Sequence, residues 1–141
     1  MTGEPLAVAD TSVAIPLLVA SHEAHDSVSA WASGRRLGLS GHAVAETYAV
    51  LTRLPGDARV SPADAVALID DNFPRLLTLP LDVAGRCHRE LADLGVSGGA
   101  TYDGLVALAA RHHGAVLVTR DARARSTYEA VGVRVELIPS G

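Results

Sequence analysis

The 141-residue chain contains no lysine: its 12 basic residues are all arginine, set against 16 acids, for a net charge of −4. A protein that coats nucleic acid non-specifically needs surplus positive charge, so that class is excluded. Cysteine is almost as scarce. Cys87 stands alone, which rules out a disulfide within the chain and a cysteine-based zinc site, and it reads as a small apolar helix residue. No stretch reaches the roughly 20 apolar residues of a membrane-spanning helix. No basic residue precedes the first apolar run, and Asp10 interrupts it, so no secretory signal is read and a cytoplasmic protein is expected. Aromatics make up 4% of the residues, and Trp31 and Phe73 are expected as core or interface anchors. What the chain does have is apolar mass, 48% of its residues, enough for one domain over 1–141 with its own core.

Short apolar runs alternate with amphipathic stretches, the pattern of an α/β fold with a mainly parallel sheet. Strands are expected at Leu6 to Ala9, Leu37 to Ser40, Leu76 to Leu79, Ala115 to Thr119 and Val133 to Ile138. Helices are expected from Asp10 to about Ala20, Asp26 to about Ser33, Ala43 to Leu54, Ser61 to about Asn72, Asp82 to Gly95, Thr101 to His113 and Asp121 to Val131. The clearest start is Ser61-Pro62-Ala63-Asp64: a capping hydroxyl, a proline suited to the first helical position and an acid in the capping box. Gly34, Pro55-Gly56 and Gly114 punctuate helix ends. In such folds functional groups collect at the carboxyl ends of strands.

Four acids stand out. Asp10 directly follows the first strand, with hydroxyls at Thr11 and Ser12, and a carboxylate there is poorly solvated unless paired or bound to metal. Asp121 follows the strand that ends at Thr119. Glu46 and Asp103 sit in helices that are otherwise mostly apolar. Each has an ordinary explanation as well: Asp10 and Asp121 as helix caps, Glu46 and Asp103 as acids favoured by a helix dipole. Their joint placement suits hard divalent cations, which take oxygen ligands, activate water and offset charge on a phosphoryl group. Carboxylates gathered for that purpose also make a nuclease look acidic, since bound cations reverse the field locally.

These segments resemble, in order, the four motifs of the PIN domain family. They are Ala7-Val8-Ala9-Asp10-Thr11-Ser12, Ala45-Glu46-Thr47-Tyr48-Ala49-Val50-Leu51-Thr52-Arg53-Leu54, Thr101-Tyr102-Asp103-Gly104-Leu105-Val106-Ala107-Leu108-Ala109 and Leu117-Val118-Thr119-Arg120-Asp121. The match spans nearly the whole chain, and its small size is similar to the VapC-type toxins of toxin–antitoxin pairs. The resemblance implies a three-layer α/β/α sandwich and a Mg²⁺- or Mn²⁺-dependent endoribonuclease acting on structured RNA such as tRNA or rRNA. It implies Asp10, Glu46, Asp103 and Asp121 as metal-binding and catalytic acids, with Thr11, Ser12 and Thr119 as supporting hydroxyls. It implies a homodimer and a VapB-type antitoxin that covers the acids.

Without lysine, phosphate contacts fall to arginine, histidine or backbone N–H groups. Arg120 and Arg123 are expected to meet RNA phosphates, whereas Arg125 reads equally well as a solvated helix arginine. His22, His25, His112 and His113 match no zinc motif. Ser97-Gly98-Gly99 lacks the Gly-Lys of a phosphate-binding loop. An apolar helix face near Trp31 is a candidate subunit contact. Receiver-like and haloacid-dehalogenase-like phosphotransfer domains usually need a lysine, and Asp10 lacks the second acid of a DxD motif. The other alternative is a non-catalytic PIN-like module that binds RNA or a partner.

Overall fold

The computed structural model describes residues 6–139; the ends of the domain expected over 1–141 lie outside the described residues. Five parallel strands form one sheet: β1 (Ala7–Ala9), β2 (Leu37–Ser40), β3 (Arg75–Leu77), β4 (Val116–Thr119) and β5 (Val135–Leu137), in the order β3-β2-β1-β4-β5. The helices are α1 (Thr11–Leu18), α2 (His25–Ala32), α3 (Gly41–Thr52), α4 (Pro62–Asn72), α5 (Leu81–Ala84), α6 (Cys87–Asp93), α7 (Ala100–His112) and α8 (Arg125–Val131). Right-handed crossovers between parallel strands place α1–α4 on one face of the sheet and α5–α8 on the other. The packing of α1 on α2 and α3, and of α7 on α6 and α8, agrees with that arrangement. The result is the three-layer α/β/α sandwich.

The middle of the sheet is its driest part. Val8, Ala9, Leu39, Leu117 and Val118 are fully buried, as strands covered on both faces require. Gly38 in β2 is tightly enclosed: a Cβ there would stand 2.9 Å from the Arg75 carbonyl oxygen of β3. Gly114, with φ +64°, turns the chain from α7 into β4, a conformation that costs glycine nothing. Ser61 caps α4 as its sequence predicts, its hydroxyl accepting from the Asp64 N–H at 3.1 Å.

Two helices differ from expectation. The stretch from Asp82 to Gly95 is two short helices, α5 and α6, separated at Gly85-Arg86, and Pro80 rather than Asp82 occupies the first cap position. Glycine and the absence of a capping side chain leave that stretch too weakly specified to run unbroken. The last helix starts at Arg125, not Asp121, because residues 121–124 form a turn in which Asp121 accepts from the Arg123 N–H at 2.9 Å.

Phe73 is in the core, but the face around Trp31 is not free. The Trp31 indole N–H donates to Glu136 at 2.8 Å, and the Arg35 guanidinium lies 4.2 Å from the ring centre. The exposed large apolar side chains include Tyr48 and Val66, on α3 and α4. No helix among the described residues is long and apolar enough to cross a membrane.

Candidate active site

The strand order reverses between β1 and β4, and the crevice at such a switch point is where α/β sheets place their ligands. Asp10 directly follows β1 and Thr119 ends β4, each one position beyond the last paired residues of the two neighbouring strands, Ala9 and Val118. Asp10 is both the cap of α1 and the centre of a hydrogen-bonded cage. Its Oδ1 accepts from the Ser12 N–H at 3.0 Å and the Ser12 hydroxyl at 2.5 Å. Its Oδ2 accepts from the Thr119 hydroxyl at 2.5 Å and the Tyr128 phenol at 2.7 Å. Four donors match the four lone-pair positions of a carboxylate, which is why this buried acid is tolerated beside an apolar strand.

The cage extends outward through the two hydroxyls. The Thr119 Oγ1 accepts from the Asp121 N–H at 3.0 Å, and the Ser12 Oγ accepts from the Arg120 N–H at 2.7 Å. Ser12 and Thr119 thus tie β1, α1 and the loop after β4 into one unit. Thr11 takes no part through its hydroxyl among the described residues.

Asp103 enters from the first turn of α7 and is half-buried. Burial holds its carboxyl above the usual carboxylate range, and the negative charges of Asp10, Asp121 and Glu46 push it further in the same direction; His42 opposes them. All four expected acids therefore share one electrostatic field. Glu46, however, is exposed: Ala43, Thr47 and Leu51 form the buried stripe of α3, and Glu46 lies off it. The outward side of α3 carries alanines and a tyrosine, so charge did not mark it as wet. Among the described residues no three histidine, cysteine, aspartate or glutamate side chains are grouped so as to hold one metal ion. The four acids are neighbours in charge without being an assembled ligand shell.

Two residues escaped the sequence reading. Tyr128 is fully buried, and burial together with the Asp10 charge drives its phenol well above the ordinary tyrosine range, so it remains a donor. Its signal was the apolar spacing Ala124, Tyr128, Val131, which puts a polar tip in the core and obliges it to find a partner. His42 lies one turn before Glu46 on α3 and stacks on Tyr102, ring centres 5.3 Å apart and planes within 13°.

The arginines divide. Arg120 reaches the Ser12 carbonyl at 3.4 Å, whereas the Arg123 side chain is 96% exposed, its Nε 3.7 Å from Asp121. Arg125 pairs with Glu129 along α8, and Arg111 pairs with Glu90. Three of the four singled-out histidines serve structure: His22 accepts from the Ala24 N–H at 3.0 Å, His25 pairs with the Pro16 carbonyl at 2.9 Å, and His113 with the Thr78 carbonyl at 2.8 Å.

Residues 7–130 match the PIN domain family. Ribonuclease VapC27 of Mycobacterium tuberculosis is 56% identical over 131 residues, covering 93% of this chain and 95% of the relative. Among solved structures, VapBC2 from Rickettsia felis, bound to a DNA fragment from its promoter, superposes with a TM-score of 0.64 at 14% identity, covering 94% of this chain and 98% of that one. VapC20 of Mycobacterium tuberculosis, described as a sarcin–ricin loop cleaving toxin, gives 0.66 at 22% identity, covering 94% and 99%. At these identities the two structures speak for the fold. The family match and the 56% identical relative speak for more: the chain belongs to the PIN domain family and, within it, to the VapC group.

Proposed function

We propose that the protein is a Mg²⁺- or Mn²⁺-dependent endoribonuclease, the toxin of a toxin–antitoxin pair, that hydrolyses phosphodiester bonds in structured RNA such as tRNA or rRNA. The observation that carries this reading is Asp103, a half-buried acid whose carboxyl is held high by burial and by three other acids. Such a field favours a cation. The donors are carboxylate oxygens, the ligand type of a hard divalent ion, and such an ion commonly keeps part of its water shell. When bound, such an ion supplies an activated water and charge compensation at the phosphoryl group.

The chain's own residues divide the remaining work. Asp10 is held in position by its four donors. Asp103 and Glu46 accept no hydrogen bond among the described residues, so their oxygens are available to water or to an ion. Arg123, exposed beside Asp121, is placed to take an RNA phosphate, with Arg120 behind it. The ribonuclease name of the 56% identical relative and the RNA-cleaving description of VapC20 support this substrate class. The VapBC2 complex supports a VapB-type antitoxin as partner. The same reading includes a homodimer, which sedimentation equilibrium tests: a monomer at every concentration removes it.

The activity test is cleavage of a structured RNA pool by the purified chain with Mg²⁺ or Mn²⁺. Cleavage that disappears both with a chelator and in Asp103→Asn is the expected result. Cleavage that survives in the variant contradicts the assignment. RNA binding without turnover marks the non-catalytic module instead.

A further inference from the structure

Among the described residues, the His42–Tyr102 stack is the one aromatic feature at the acids that neither the cage nor the core explains. It lies where the N-terminal turns of α3 and α7 meet. Glu46 is one turn along α3 from His42, and Asp103 is the next residue after Tyr102. His42 is near enough to Asp103 to oppose the pull of the acids on it. Tyr102 keeps 58% of its surface exposed, unusual for a large aromatic ring next to a half-buried acid. No hydrogen bond to either ring holds it in place among the described residues, so the pair is not there to satisfy a buried polar group. His42 also lines a cavity of about 190 Å³, with Ser40, Thr78, Leu79, Ala84, Leu105 and Ala109 among its walls. Its walls are mainly apolar, which suits a base better than a phosphate.

We propose that the stacked His42–Tyr102 pair is a platform for one unpaired nucleobase of the RNA, flanking the phosphate at the acid crevice, and that it helps determine which RNA is cut. The proposal rests on the ribonuclease reading of the site and adds its base-recognition element. Aromatic stacking of splayed-out bases is how proteins read single-stranded segments of RNA, and it suits a loop or bulge better than a helix. The two halves of the site then divide by chemistry: carboxylates and Arg123 act on the backbone, and the aromatic pair acts on the base.

The test uses the full chain in chelator, where no cleavage interferes, and a short single-stranded oligoribonucleotide carrying 2-aminopurine. Binding is read by anisotropy and stacking by quenching of the 2-aminopurine. Quenched binding that Tyr102→Phe retains and Tyr102→Ala weakens about tenfold is the expected outcome, given what one base–aromatic stack contributes. His42→Ala is expected to weaken it less, and thermal unfolding of each variant controls for the fold. Binding that is unquenched, absent, or equal in Tyr102→Ala overturns the proposal. The outcome is separable from the activity: loss of cleavage in Asp103→Asn with Tyr102-independent binding sinks the platform alone. Tyr102-dependent quenching with no cleavage under any metal sinks the nuclease reading alone.

Discussion

Asp103 shows burial and like charge acting together on one side chain. Its folded-state pKa is raised, so the native state holds its proton more tightly than the unfolded chain does. Between the unfolded value near 3.8 and the raised folded value, folding takes up a proton, and stability falls as pH rises through that window. At neutral pH the ionised carboxylate is therefore a cost. Asp103→Asn should raise the melting temperature at pH 7 in chelator, and the advantage should shrink as pH drops below the unfolded value; an unchanged or lower melting temperature at pH 7 contradicts this. Asp10 is the converse case, an acid made tolerable by donors. Tyr128→Phe removes one of them from a fully buried pair and should cost about 1.5–3 kcal/mol in urea unfolding. A loss well under 1 kcal/mol would show that the phenol contributes little to holding Asp10.

Elements explain which features were legible. The start of α4 could be read because Ser61, Pro62 and Asp64 act locally, through a hydroxyl, a fixed φ and one backbone N–H. Strand ends were legible for a similar reason: a run of apolar residues ending in an acid is a pattern in one dimension, and it placed Asp10 and Asp121. The break between α5 and α6 and the late start of α8 were not, because each depends on how a weakly helical stretch packs. The exposure of Glu46 was also hidden, since alanines give no sign of which helix face is wet. Tyr128 bonds to Asp10 across 118 residues, a contact that only the fold creates. Close approach between elements is equally invisible in sequence. Gly38 admits β3 because it has no side chain, so Gly38→Ala should push the Arg75 carbonyl away and destabilise the sheet by about 1–3 kcal/mol. Chemical denaturation measures this, and a neutral effect would mean the β2–β3 edge yields freely.

At the scale of the molecule, an acidic protein with the proposed RNA substrate must still hold a polyanion. The field is divided: Arg111 and Arg125 are paired with acids away from the crevice, while Arg123, 96% exposed and 3.7 Å from Asp121, stands beside it. Arg123→Ala should weaken RNA binding across sequences and lower the slope of log affinity against log salt by about 0.7, the value of one phosphate contact on a single strand. An unchanged slope would remove Arg123 from the RNA path. The proposed function requires the four acids to act together on a cation, and calorimetric titration of Mn²⁺ into the wild-type chain and into Asp103→Asn addresses that directly. Saturable binding in the wild type and at least a tenfold loss in the variant are expected, with a rise in wild-type melting temperature when the ion is added. Equal affinity in both proteins, or no saturable binding in either, would contradict it.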